Sequence, residues 1–240
     1  MTTLVVGASG ATGKLLVEQL LKSNVHVKII VRTVDNLPQN IKNNKNVSII
    51  CASILELNES EIAQHVKDCN AIASCLGHNL SFKGLFGKPR RLVTNATRQL
   101  CNAIKANNPE KPVKFVLMNT AGNRNLDLYE KISFGQKCII GLLRWLLPPH
   151  EDNEKAANYL RTNIAQNHSV IEWTVVRPDN LIDKDELSEY EVYSSPIRSA
   201  IFNAGTTSRI NVGHFMAELI TNHKTWIKWK GQMPVIYNKW

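Results

Sequence analysis

Leu4-Val5-Val6-Gly7-Ala8-Ser9-Gly10-Ala11-Thr12-Gly13-Lys14 joins an apolar, β-rich run to a helical pattern through three glycines. Leu15, Leu16, Val17, Leu20 and Leu21 follow at helical spacing. Strand, glycine turn and helix in that order is the context in which a glycine pattern indicates dinucleotide binding. A helix N-terminus presents unpaired N–H groups and the positive end of its dipole, where a pyrophosphate can sit. Gly7 permits the tight turn, Gly10 lets phosphate oxygens approach the main chain, and Gly13 lets the helix pack close to the strand. Ala8, Ser9, Ala11 and Thr12 keep that approach open, and two of them offer hydroxyls. A glycine turn can also join strand and helix without a ligand; here the context favours the nucleotide.

Outward from this turn, β-branched runs alternate with helical stretches. The pattern predicts strands at 3–6, 26–31, 47–51, 71–75, 113–118, 171–176 and 234–237. It predicts helices at 11–22, 59–67, 91–107, 151–166 and 212–221. Alternation of this kind builds βαβ units and hence an α/β fold, a doubly wound parallel sheet of the Rossmann type. One domain over 1–240 is expected, with a lid-like insertion at 123–150 and a small substrate-side lobe from about 181 to 240. The insertion holds Leu126, Leu128, Tyr129, Ile132, Phe134 and the run Cys138–Leu147. It reads as amphipathic helix that could roof a pocket, form the interface of a homodimer, pack into the core or lie on a membrane surface. Phe82–Phe86, followed by Lys88, Arg90 and Arg91, reads as a second lid element.

Ligands of such sheets bind at the carboxyl ends of the strands, so the residues there are the candidates. Arg32 follows the second strand where an NAD-selective site would hold an acid for the ribose hydroxyl; its planar cation suits a 2′-phosphate instead. Together with Thr33 beside it, this points to NADP(H) as the cofactor. Ser53 and Ile54 follow the third strand, to edge and cover an adenine. Leu76-Gly77-His78 follows the fourth, where the glycine lets the chain pass close beneath a cofactor. His78 reads as a phosphate or substrate contact, or as an exposed loop histidine. Asn119 and Thr120 follow the fifth strand, near where the nicotinamide should lie. Val176-Arg177-Pro178-Asp179-Asn180 ends the sixth, with Pro178 at the same mouth.

The net charge is +9, from 29 basic and 20 acidic residues. The basic residues are dispersed and no nucleic-acid motif accompanies them, so an anionic small molecule fits better than nucleic acid. Five cysteines, odd in number and without a Cys-x-x-Cys pair, argue against a disulfide framework and against a metal site. No basic stretch leads into a cleavable apolar run, and no apolar run approaches the roughly 18–20 residues that span a bilayer. A cytoplasmic location is expected.

In order and type, Gly7-x-x-Gly10-x-x-Gly13, Val31-Arg32, Leu76-Gly77, Asn119-Thr120-Ala121-Gly122 and Val176-Arg177-Pro178 resemble the short-chain dehydrogenase/reductase superfamily in its atypical, single-domain branch. Over roughly residues 2–220 the layout is similar to NmrA-like proteins and flavin/biliverdin-IXβ reductases. The resemblance implies a Rossmann fold and an NADP(H) site. It also implies a catalytic tyrosine with a lysine four residues later, and that pair is absent. Tyr129, Tyr159, Tyr190 and Tyr193 are followed at that distance by Ser133, Asn163, Ser194 and Ile197. Counting back from Arg177-Pro178 puts the family lysine near Asn153 or Lys155. His150, Asn153 and Lys155 are therefore candidates for a proton donor or ribose contact, although Glu151 and Lys155 also read as an i,i+4 surface pair. Thr120 matches the hydroxyl that positions the nicotinamide in flavin/biliverdin reductases. Their histidine on the sixth strand is replaced by Asp179 or Asn180.

Two functions fit. One is an NADPH-dependent reductase passing hydride to a small flavin, quinone or carbonyl acceptor. The other is a non-catalytic NADP(H)-binding sensor or regulatory partner protein.

Overall fold

The structure, a computed structural model, describes residues 1–78, 87–130, 135, 139, 141–142 and 148–239. The stretch expected as a second lid at 82–86 lies outside those residues, as do 131–134, 136–138, 140 and 143–147 of the 123–150 insertion. Leu4, Val5 and Val6 decide the layering: successive strand side chains point to opposite faces, and all three are fully buried. Such a strand must be covered on both sides, as parallel sheets are. Strand β1 (Thr2–Val6) pairs in parallel with β2 (His26–Val31) and with β4 (Ala71–Ser74). Beyond β2 lies β3 (Val47–Cys51); beyond β4 come β5 (Val113–Met118) and β6 (Ile171–Pro178), all parallel. The sheet is completed by β10 (Val235–Asn238), parallel to β6, and by β8 (Tyr190–Tyr193), antiparallel at the edge. The order β3-β2-β1-β4-β5-β6-β10-β8 reverses direction between β1 and β4. That reversal is the topological switch point.

On one face, Leu4, Val6, Ile72, Phe115 and Leu117 pack against helices α3 (Glu59–Val66), α4 (Leu92–Asn107) and α5 (Pro148–Tyr159). On the other, Val5, Ile29, Val116 and Val176 meet α1 (Ala11–Lys22), α6 (Arg209–Thr221) and α7 (His223–Trp229). A short α2 (Gln39–Lys42) precedes β3. Helix α5 begins earlier than its sequence pattern suggests, at Pro148; prolines fit a first helical turn, where their missing N–H has no partner to lose. It runs into a π-helical turn over Leu160–Ile164.

The C-terminal segment expected as a lobe divides. Its β8, α6, α7 and β10 build the main sheet and its cover, with Gly213 of α6 close against Leu15 and Leu16 of α1. Only β7 (Asn180–Ile182) and β9 (Thr206–Ser208) form a separate two-stranded ladder. No described helix is long and apolar enough to cross a membrane.

Candidate functional site

The glycine turn sits at the switch point. Gly7 has φ +76°, and a Cβ there would lie 2.5 Å from the Cys75 carbonyl carbon, so β1 exits hard against the end of β4. A Cβ on Gly13 would collide with the Gly7 carbonyl oxygen; the glycine is what lets α1 start directly beneath the turn. Gly10 is the N-cap residue, without a side chain to close the helix, and the first turn of α1 carries no acid. Three other helices differ. Asn58 closes α3 in a reciprocal capping box with Glu61, Ser208 caps α6, and Asn222 caps α7. The first N–H groups of α1 are thus left for an external acceptor.

A groove of about 610 Å³ runs across the carboxyl ends of β1 to β5, over this helix start. Of the glycine segment, Gly7, Ser9, Gly10, Ala11 and Thr12 line it, whereas Ala8 is buried in the core. At one end stand Arg32 and Asn36 after β2, and Ser53, Ile54, Leu55 and Glu56 after β3. The Arg32 side chain is exposed, and its guanidinium has no hydrogen bond or ion pair with a described residue. Thr33 is turned aside: its hydroxyl donates to Asp35 Oδ2 (2.6 Å) and accepts from the Asp35 N–H (3.2 Å). At the other end are Leu76, Gly77 and His78 after β4, Lys88, Pro89 and Leu92 leading into α4, and Met118 ending β5. A Cβ on Gly77 would meet no described residue within 4 Å, so packing among the described residues does not require a glycine there. The room it leaves is room for a ligand. Size, open helix start, free cation and bare backbone all fit a dinucleotide.

His78 is held from below. Its Nε2 lies 2.8 Å from Oδ2 of Asp152, a residue of α5 only 1% exposed. The same carboxylate accepts the main-chain N–H groups of Val93 (2.8 Å) and Thr94 (3.0 Å), and the Asp152 carbonyl accepts the Thr94 hydroxyl. Asp152 therefore caps α4 from another helix, since Arg91, at the N-cap position, offers no side-chain bond. Burial pushes its carboxyl up, but the hydrogen bonds from His78, Thr94 and Val93 outweigh that and hold it below the usual carboxylate range. Nothing local in the sequence announces this contact, because His78 and Asp152 are 74 residues apart.

Beyond Met118, Thr120 and His150 converge. A Cβ on Gly122 would lie 3.5 Å from His150 Cε1 and 3.7 Å from Thr120 Oγ1. His150 Nε2 is 3.4 Å from Glu154 Oε1 but is not aligned for a hydrogen bond, so this buried nitrogen has none. Asn119 ties the strand end to α5: its amide donates to the Asn153 carbonyl (2.8 Å), and its oxygen accepts from Thr120 N and Asn123 Nδ2. Asn153 thus takes part through its main chain. Lys155 pairs with Glu151 at 2.7 Å. Both line a second cavity of about 330 Å³ on the outer side of α5, with Arg124 and Arg161. Pro178 lies in the sheet, its carbonyl accepting the Ala121 N–H.

Arg177, read in the sequence as part of a polar mouth, points inward and is fully buried. Its guanidinium grips Glu130 through both oxygens (2.7 and 3.0 Å) and donates to the carbonyls of Asn123, Ser194 and Met233. It therefore anchors the chain that leaves β5. Among the described residues no tyrosine lines the groove, and no group of three or more His, Cys, Asp or Glu could hold a metal ion. Burial pushes the Cys75 and Cys101 thiols up to about 12 and Cys69 up to about 11, so all three stay neutral.

Solved structures of similar shape share this fold. An oxidoreductase, ylbE, from Lactococcus lactis matches with a TM-score of 0.70 at 17% identity, over 100% of this chain and 91% of its own. A short-chain dehydrogenase/reductase from Veillonella parvula, solved with NADP, matches with a TM-score of 0.69 at 16% identity, over 99% and 94%. ChuY, an anaerobilin reductase from Escherichia coli, matches with a TM-score of 0.68 at 16% identity, over 99% and 97%. At such identities the likeness is one of fold. Among curated protein sequences none matches. The NAD(P)H-binding family model, however, matches residues 7–223, from the glycine turn to the start of α7. The chain belongs to the NAD(P)H-binding family and has the fold of the atypical short-chain dehydrogenases/reductases.

Proposed function

We propose that the protein is an NADPH-dependent reductase that passes hydride to a small redox-active acceptor, a flavin, quinone or carbonyl compound. The observation that carries the cofactor preference is the Arg32 guanidinium, unpaired among the described residues, at the β2 end of a dinucleotide-sized groove. Arg32 takes the 2′-phosphate, the open N-terminus of α1 takes the diphosphate, and Ser53 and Ile54 flank the adenine. That order sends the nicotinamide toward Gly77, His78 and Met118, across the switch point. The bound reduced dinucleotide supplies the hydride. The protein's task is to orient it, exclude water and present the acceptor. Thr120 and His150, which share one spot at the end of β5, are assigned to the carboxamide and the acceptor. Asn153 and Lys155 are the secondary candidates; either would first have to turn a side chain toward that spot. The four cysteines among the described residues form no disulfide, which suits a reducing compartment, and we place the protein in the cytoplasm.

The test is steady consumption of NADPH on a panel of flavins, quinones and dicarbonyls, beside Arg32→Ala. A charge-assisted contact of about 1.5–3 kcal/mol corresponds to roughly 10- to 100-fold in affinity. Arg32→Ala should weaken NADPH by that factor and NADH by less than about twofold. Equal losses for the two would reject the 2′-phosphate role.

The absence of a Tyr-x-x-x-Lys pair favours a second function, that of an NADP(H) sensor without turnover. It predicts stabilisation by the dinucleotide of about 2.7 kcal/mol at a hundred times its Kd, with every acceptor left unreduced.

A further inference from the structure

The roles assigned so far leave the His78–Asp152 pair without a chemical part. Asp152 accepts two main-chain N–H groups as well as His78, and those bonds keep it ionised. An ionised carboxylate has no hydrogen to give. The hydrogen between the two side chains must therefore sit on His78 Nε2. That fixes the ring: Nδ1 is the nitrogen that gains and loses the second proton, and no described residue bonds to it. The ring is 6% exposed and lines the groove at the end opposite Arg32, beside Gly77 and Met118. Here a carboxylate orients one nitrogen of a histidine while the other has no partner among the described residues, which is the arrangement of a positioned acid.

We propose that His78 is the general acid of the reduction, giving its Nδ1 proton to the acceptor, and that Asp152 is its positioning residue. The inference rests on the reductase function above and narrows it to acceptors with a carbonyl or quinone oxygen. In the step, the carbonyl carbon gains hydride from the reduced dinucleotide as its C–H bond breaks. The oxygen gains the proton as the Nδ1–H bond breaks. His78 is left neutral, still donating from Nε2 to Asp152, and is recharged from water at the groove mouth.

The other described titratable groups on this wall do not compete. The Cys75 thiol on β4 is pushed up to about 12 by burial. Lys88, ahead of α4, is an exposed cation, while α4 and β5 contribute only the apolar Leu92 and Met118. From α5 the ring meets the Asp152 carboxylate.

The experiment uses the full chain with NADPH and phenanthrenequinone as probe acceptor, following kcat/KM against pH and, separately, the NADPH Kd by calorimetry. Wild type should lose activity as pH rises and the imidazolium discharges. His78→Asn, or His78→Gln if the first does not fold, should lower kcat about 100-fold, the low end for a general acid. It should also abolish that alkaline limb and leave the NADPH Kd within about threefold. Asp152→Asn keeps one oxygen, enough for the N–H groups of His78 and Val93 but not for that of Thr94, and should move the limb to lower pH because the imidazolium loses the charge facing it.

A wild-type profile without an alkaline limb overturns the assignment. So does a limb that persists in His78→Asn or disappears in His150→Asn. A His78 variant whose NADPH Kd rises tenfold at unchanged kcat makes the residue a cofactor contact and overturns it too. Wild-type protein that binds NADPH yet reduces no acceptor overturns the reductase function and this inference together. Turnover with an unchanged His78→Asn profile overturns only this one.

Discussion

Two helices begin at the same edge of the sheet, one after β1 and one after β4, and they are finished in opposite ways. Each has a positive dipole end and first-turn N–H groups that the helix itself cannot satisfy. At α4 the Asp152 carboxylate reaches across from α5 and fills that need with two hydrogen bonds, at 2.8 and 3.0 Å. At α1 the N-cap is Gly10, with no side-chain cap and no acid in the first turn. The same backbone physics thus yields a closed joint in one place and, in the other, an open helix start that we propose to be an anion cradle. What decides is whether the protein supplies its own carboxylate or leaves glycine. The difference has a consequence for His78. The anion that closes α4 also holds this histidine, so the structural joint borders the groove whose far side is the cradle.

The largest effect is expected from removing the glycine that permits the cradle. In Gly13→Val the new Cβ would collide with the Gly7 carbonyl oxygen. Neither atom belongs to a flexible side chain, so β1 and α1 must separate. We expect little folded protein to accumulate and no thermal stabilisation by NADPH in what does, measured as Tm with and without nucleotide. Opening the joint at α4 comes next. Asp152→Ala strands two main-chain N–H groups and the imidazole in a buried site, at about 2–4 kcal/mol. For a chain of this size that lowers Tm by roughly 5–15 °C.

Acid should reveal the same carboxylate. Its folded pKa lies below the unfolded value, which is near 4 for an aspartate. Its contribution is therefore complete above about pH 4 and is lost as pH falls through the lower folded value. The stability gap between wild type and Asp152→Asn should narrow as pH falls below about 4 in urea melts. A gap that widens below pH 4 would mean that Asp152 is not ionised in the folded protein.

The comparison also separates what the sequence could say from what it could not. The cradle is local: glycines, strand and helix fall within residues 4–21, and Arg32 is placed by counting along the next strand. Helix α3 declares its start through Asn58 and Glu61, the two ends of its capping box. Glu151 and Lys155, one turn apart, are legible as a pair. Asp152 lies between them on the opposite, buried side of α5, and its partners are 58 to 74 residues away. Only the packing of α4 against α5 brings them together. Arg177 misled for the same reason. Its position at a strand end suggested the mouth, but its acceptor, Glu130, is separated from it by 47 residues. Strands β7 and β9, of three residues each, are too short to show a period of two. Helix α7 did carry a signal, Asn222 ahead of Trp226 and Trp229 at helical spacing.

The smallest change in stability, and the sharpest test of the contrast, comes from giving α1 what α4 has. Ala11 is the first residue of α1 and is exposed, so Ala11→Asp introduces a carboxylate without disturbing the core. A negative charge in a first turn stabilises an exposed helix by about 0.3–1 kcal/mol through the dipole. The apo protein should therefore keep its Tm or gain roughly 1–3 °C. The same charge occupies the space and the N–H groups that a diphosphate would use, and like charges repel. NADPH affinity should fall at least about tenfold, read by calorimetry, and the loss should shrink as salt screens the repulsion. A variant that is destabilised and also binds poorly would show only that residue 11 tolerates no side chain. A variant that is stabilised and still binds well would place the phosphates away from α1. Stability gained together with binding lost is the outcome that two alternative anions, one built in and one bound, demand of a single helix start.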